Sequence, residues 1–222
     1  MKNFGLILWD IDGTLLNFHA AQSAAIRRCF EFFRLGGCTD EMLADYDRIN
    51  EKHWQALERG ELTKPQVLEG RFREFFTKYG IPTAAIPDFN EEYQLRLGDT
   101  IVFFPNAMEA LEACKAAGIR QFAVTNGTKL AQVRRLAVSG LDKLFDGVFI
   151  SDEIGYEKPD PRFFAPVFAP ASSRTMRSPT SWRRRPSWGR PCENPVFGKK
   201  FPPAQILLKK IEKEIYIYAK DC

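Results

Sequence analysis

Several features are scarce in this chain, and each scarcity removes a class of function. No apolar run approaches the roughly 20 residues that a membrane helix needs, so no membrane partner is expected. The N-terminus lacks a basic stretch followed by a long apolar run and a small-residue cleavage site, so a secretory signal is not expected either. The five cysteines (Cys29, Cys38, Cys114, Cys192 and Cys222) are scattered, odd in number and free of CxxC spacing. They read as ordinary thiols of a reducing, cytoplasmic compartment. Acidic residues are missing from one stretch altogether: "SSRTMRSPTSWRRRPSWGRP", from Ser172 to Pro191, has none.

That last absence shapes the charge of the whole chain. Over its 222 residues, 32 Lys and Arg stand against 28 Asp and Glu, a net charge of +4. Residues 1–170 hold 20 basic and 24 acidic residues, while residues 171–222 hold 12 and 4, so the tail carries +8 and the body −4. On composition alone, such an asymmetry suggests a nucleic-acid or membrane-binding tail.

The body shows the pattern of an α/β chain. "FGLILWD" (4–10), "RQFAVTNG" (120–127) and "FDGVFISDE" (145–153) are short apolar runs that fit strands buried on both faces of a parallel sheet. Helical segments lie between them. "NAMEALEACKAAG" (106–118) and "KLAQVRRLAVSG" (129–140) each close on a glycine, the second with Leu130, Val133, Leu136 and Val138 as its apolar repeat. Strand and helix in alternation predict a Rossmann-like, doubly wound parallel sheet. Between residues 18 and 98 only helical periods remain. One helix is expected after Thr39 or Asp40, with Met42, Tyr46, Ile49 and Leu57 on one face, and another begins at Thr63 with Pro65 in its first turn. The expected organisation is an α/β core (1–17 and 99–170), an inserted helical cap (18–98) over the carboxyl ends of the strands, and an irregular C-terminal segment (171–222).

Polar residues gather where the strands end: Asp10, Asp12, Gly13 and Thr14 after the first, Thr125, Asn126 and Gly127 after the second, and Lys158 in the loop after the third. Two carboxylates one residue apart repel and call for a cation, and magnesium, which takes oxygen ligands and keeps waters, suits them. An aspartate can attack phosphorus while a second carboxyl protonates the leaving oxygen. Thr125 and the amides around Asn126 suit phosphoryl oxygens, and Lys158 offsets the charge. Taken singly, D-x-D-G and T-N-G are common turns. His19, His53, Trp54, Phe18, Phe103, Phe104 and Lys129 read as packing or solvent-facing residues, with substrate contact as the minority alternative.

In this order, "DIDGTL", "VTNG" and "KPDP" resemble motifs I to III of the haloacid dehalogenase superfamily over residues 4–170. "INEKHWQALERGELTKPQVLEGRFREFF" and "FISDEIGYEKPDP" further resemble its bacterial pyrimidine 5'-nucleotidase branch. The resemblance implies a magnesium-dependent phosphatase acting on a small phosphomonoester, a nucleoside monophosphate. Asp10 would be nucleophile and metal ligand, and Asp12 general acid/base with its main-chain carbonyl on the metal. Thr125, Asn126 and Gly127 would bind phosphate, and Lys158 would be the motif III lysine.

The same resemblance implies a fourth motif, whose acids complete the magnesium site. Here no aspartate occurs between Asp160 and Asp221. A basic tail, a divergent member with other ligands, and a reading-frame shift near residues 169–180 compete to explain this. The frame shift is favoured, because charge, pattern and resemblance all fail at one point, and a nucleic-acid partner is then not expected. The alternative functions are the inactive remnant of a phosphatase, still binding phosphate or nucleotide, and a nucleic-acid-interacting protein acting through the basic tail.

Overall fold

The computed structural model describes residues 4–168 and 215–219. Its sheet has the order β3-β2-β1-β4, built from β1 (Phe4–Trp9), β2 (Arg120–Thr125), β3 (Gly147–Ile150) and β4 (Ile215–Ala219). β1 pairs in parallel with β2 (Leu8 opposite Phe122), and β2 with β3 (Val124 opposite Phe149). Burial on both faces explains why these strands read as unbroken apolar runs. Ile7, Trp9 and Ala123 face one apolar cluster, and Leu6, Leu8, Phe122 and Val124 face the other. Trp9 is fully buried and satisfies its indole by donating to Gln121 Oε1 at 2.8 Å.

β4 is the exception to the parallel pattern, running antiparallel along β1. Part of the segment expected to be irregular (171–222) thus forms a strand of the sheet. The remainder of 171–222, including the arginine-rich stretch and the supposed frame shift, lies outside the described residues.

Between β1 and β2 the chain forms α1 (Phe18–Phe32), α2 (Asp40–Glu58), α3 (Lys64–Lys78), α4 (Ile86–Asp99) and α5 (Ala107–Ala116). Caps set the starts. Asn17 accepts from the Ala20 amide, Thr39 from the Met42 amide, and Gln66 accepts the Thr63 amide at 2.8 Å, with Pro65 in the first turn of α3. Helices α1 to α4 enclose an aromatic core in which Tyr46 stacks on Phe72 at 5.3 Å and Phe76 meets Phe89 edge-on at 4.9 Å.

α6 (Lys129–Ser139) follows β2, starting at its cap Thr128 and ending at Gly140 in a left-handed turn. Its Ala131 belongs to the same apolar cluster as the four-helix bundle, so α6 is where bundle and sheet layers meet. Short helices α7 (Ser151–Ile154) and α8 (Pro161–Phe168) follow β3. Polar ties fix which end of the bundle faces the strand ends. Lys64, opening α3, donates to Asp152 at 2.5 Å, and Thr128 donates to Gln94 of α4 at 2.7 Å.

Candidate active site

Asp10 and Asp12 leave the carboxyl end of β1 in a tight turn. Amides of Leu15 and Leu16 both return to the Ile11 carbonyl, and Gly13 takes a φ of +81° that a side chain would strain. The buried Lys158, 148 residues further on, donates to Asp10 Oδ1 at 2.6 Å. This pair joins the first loop to the third.

The second loop holds that lysine in place. Asn126 Nδ2 donates to the Lys158 carbonyl at 2.9 Å, and the Lys158 amide donates to Asn126 Oδ1 at 2.7 Å. The Asn126 side chain is thus spent on main chain. Thr125 is buried, and its hydroxyl oxygen accepts from the Gly127 amide at 3.0 Å. Gly127 must stay bare: a Cβ there would come within 2.2 Å of Gln132 Nε2.

Asp12 turns toward α6. Its Oδ1 accepts from Arg135 Nη1 at 2.7 Å and its Oδ2 from Gln132 Nε2 at 2.5 Å. Neither donor was anticipated. The apolar repeat predicted for α6 ran through Leu130, Val133, Leu136 and Val138, but Leu130 and Val138 are exposed. The helix instead buries Ala131, Gln132, Arg135 and Leu136. The signal was available: counting 3.6 residues per turn from Leu136 puts Gln132 on its face and Arg135 next to it.

The other candidates fall where packing would put them. His19 is exposed and donates to Asp47 at 2.7 Å, His53 donates to the Ile49 carbonyl, and Trp54 donates to Asn50. Phe18 packs against the bundle core and Phe103 against the sheet layer, while the Phe104 amide bonds to the Leu15 carbonyl. Lys129 pairs with Glu153, and its amide donates to Asp152, which Lys64 also contacts.

For a metal, the turn offers the Asp10 carboxylate and the Asp12 peptide carbonyl. Both are hard oxygens, and magnesium binds through one or two carboxylates while keeping several waters, so the donors fit that ion. Among the described residues, no three or more of His, Cys, Asp and Glu come together as a larger metal cluster. No described helix is long and apolar enough to cross a membrane.

Comparison with known proteins gives the family and the fold. The haloacid dehalogenase-like hydrolase family matches residues 4–168. The HAD-hydrolase YfnB of Bacillus subtilis is 31% identical over 168 residues, covering 76% of this chain and 70% of that protein. A magnesium-bound crystal structure of YfnB, described as revealing interdomain movement, superposes with a TM-score of 0.70 at 30% identity, over 78% of this chain and 77% of that one. The pyrimidine 5'-nucleotidase PynA of Streptococcus pneumoniae is 28% identical, over 74% of this chain and 68% of that protein.

Proposed function

The chain belongs to the haloacid dehalogenase-like hydrolase family, close to its pyrimidine 5'-nucleotidases, and from that starting point we propose that it hydrolyses phosphomonoesters, with nucleoside monophosphates as substrates. The observation that carries the proposal is the Asp10–Lys158 pair, closed at 2.6 Å between the first and third strand-end loops.

In this mechanism Asp10 attacks phosphorus, forming an aspartyl-phosphate as the bond to the leaving oxygen breaks. Asp12 gives that oxygen a proton, then takes one from the water that hydrolyses the aspartyl-phosphate and frees inorganic phosphate. Lys158, fixed by the Asn126 side chain, keeps positive charge beside Asp10 and the phosphoryl oxygens. The main-chain amides near Asn126 receive those oxygens. Magnesium held by the Asp10 carboxylate and the Asp12 carbonyl would add charge neutralisation. Helices α1 to α4 serve as the cap, meeting the nucleoside at the end where Lys64 and Gln94 touch the core.

A second reading has its own observation. The lack of any aspartate between Asp160 and Asp221 removes the usual further acids, which favours a form that binds phosphate without turning it over. Phosphate release from nucleoside monophosphates, measured with magnesium on wild type and Asp10→Asn, separates the two. Release abolished by the substitution supports the hydrolase; wild type indistinguishable from Asp10→Asn excludes catalysis.

A further inference from the structure

The stripe of α6 beneath Asp12 is costly for a helix whose only task is packing. Arg135 is fully buried, and Gln132 is 1% exposed. Among the described residues, Arg135 Nε and Nη2 and Gln132 Oε1 have no hydrogen-bond partner. A buried guanidinium with so few partners is often no better for stability than an apolar side chain of similar size. What these residues do make is one bond each to Asp12, on its two different carboxylate oxygens.

We propose that Gln132 and Arg135 are positioning residues that fix the Asp12 carboxyl for proton transfer at the leaving group; this rests on the phosphatase reading above. Three observations converge on it. Both oxygens of Asp12 are held, so rotation about its side-chain bonds is blocked. Both donors stand on one helix three residues apart, so their spacing is set by helix geometry rather than by a loop. Gly127, in the motif II loop, leaves the space through which Gln132 reaches Asp12. The same helix binds the bundle, through Thr128 to Gln94 and Arg134 to Asp99. Arg135 thus sits between the acid and the cap.

The test compares two substrates on the full chain with magnesium. p-Nitrophenyl phosphate has a leaving group that departs with little need of a proton, whereas a nucleoside 5'-monophosphate has an alkoxide leaving group that needs one. General acid catalysis contributes roughly 10²- to 10⁴-fold. Arg135→Met is therefore expected to lower kcat/KM, which runs only as far as departure of the leaving group, about 100-fold on the nucleotide and less than about 5-fold on p-nitrophenyl phosphate. Arg135→Lys, which keeps the charge, should recover part of the nucleotide loss. Equal losses of kcat/KM on both substrates, or a nucleotide loss confined to KM, would overturn the assignment; kcat alone also contains hydrolysis of the shared aspartyl-phosphate, in which Asp12 serves both substrates. If wild type hydrolyses neither substrate, the phosphatase reading fails and the proton-transfer role with it. Thermal unfolding then decides whether the hold itself exists. An Asp12→Asn, Arg135→Met double variant with a higher Tm than Arg135→Met alone supports the hold, because neither partner is left charged and buried. Strictly additive Tm shifts refute it.

Discussion

The helical bundle holds a buried carboxylate and the strand-end site two half-buried ones, and the two regions satisfy them differently. Asp45 of α2 is 3% exposed and is served by Lys78, Arg48 and Tyr79, the first two through ion pairs and the last through a 2.5 Å hydrogen bond. Its partners lie 3, 33 and 34 residues away, on its own helix and at the end of α3. Asp10 and Asp12 instead draw partners from 120 to 148 residues away: Lys158, Gln132 and Arg135. A carboxylate that only ties helices together takes its donors from its neighbours. One that must keep a set position toward a substrate takes them from several loops and helices at once, so that no local motion displaces it.

The largest effect is expected at Lys158. Lys158→Met leaves Asp10 without its buried cation, and breaking such a pair costs about 3 kcal/mol of stability. Loss of charge compensation lowers phosphate release by roughly 10²- to 10³-fold. Phosphate-release kinetics and urea unfolding of the same variant measure both. A variant that loses stability but keeps its turnover would place Lys158 with Asp45 as a purely structural partner.

Asp45 should show the opposite split. Asp45→Asn is expected to lower Tm while leaving kcat and KM as they are, since its partners Arg48, Lys78 and Tyr79 belong to the bundle. Its pH dependence has a fixed sign. Hydrogen bonding from Lys78, then Tyr79, holds the Asp45 carboxyl below its ordinary value. The stabilisation is therefore present above the unfolded carboxyl's pKa and is lost as pH falls through the lower, folded one. On the alkaline side, the bond to Asp45 pushes the Tyr79 phenol up to about 12. That contribution is complete below about 10 and fades as pH rises through 12. Tm profiles of wild type and Asp45→Asn should diverge near neutral pH and converge in acid; parallel profiles would remove Asp45 from the account.

The same difference in range explains what was legible in the sequence. The three parallel strands were readable because burial on both faces makes each a short apolar run, and the acids, Asn126 and Lys158 stood at the ends of those runs. Caps were readable because Thr39, Thr63 and Pro65 act within one turn of themselves. Sequence did not show that the Asn126 side chain clamps Lys158, because that bond spans 32 residues and forms only once two loops meet. Nor did it show Gln132 and Arg135, because counting apolar residues assigns polar ones to the solvent face. β4 was missed for another reason: "EIYIYAK" suits a strand, but its pairing with β1 depends on a partner some 210 residues earlier.

The smallest expected effect tests the phase of α6, on which the comparison depends. Leu136 is 3% exposed and Val138 56% exposed, and two residues along a helix turn through about 200°. Only one of the two can lie on the inward face. Leu136→Ala should cost about 2–4 kcal/mol, in the manner of a core truncation. Val138→Lys should stay within about 0.5 kcal/mol of wild type in urea unfolding. If Val138→Lys proves the more damaging, α6 is rotated from its present phase. Arg135, 60° from Val138 and 100° from Leu136, would no longer point at Asp12 from the position that leaves Gln132 beside it. A near-silent Val138→Lys therefore supports more than one surface residue. It fixes the face from which the acid is held.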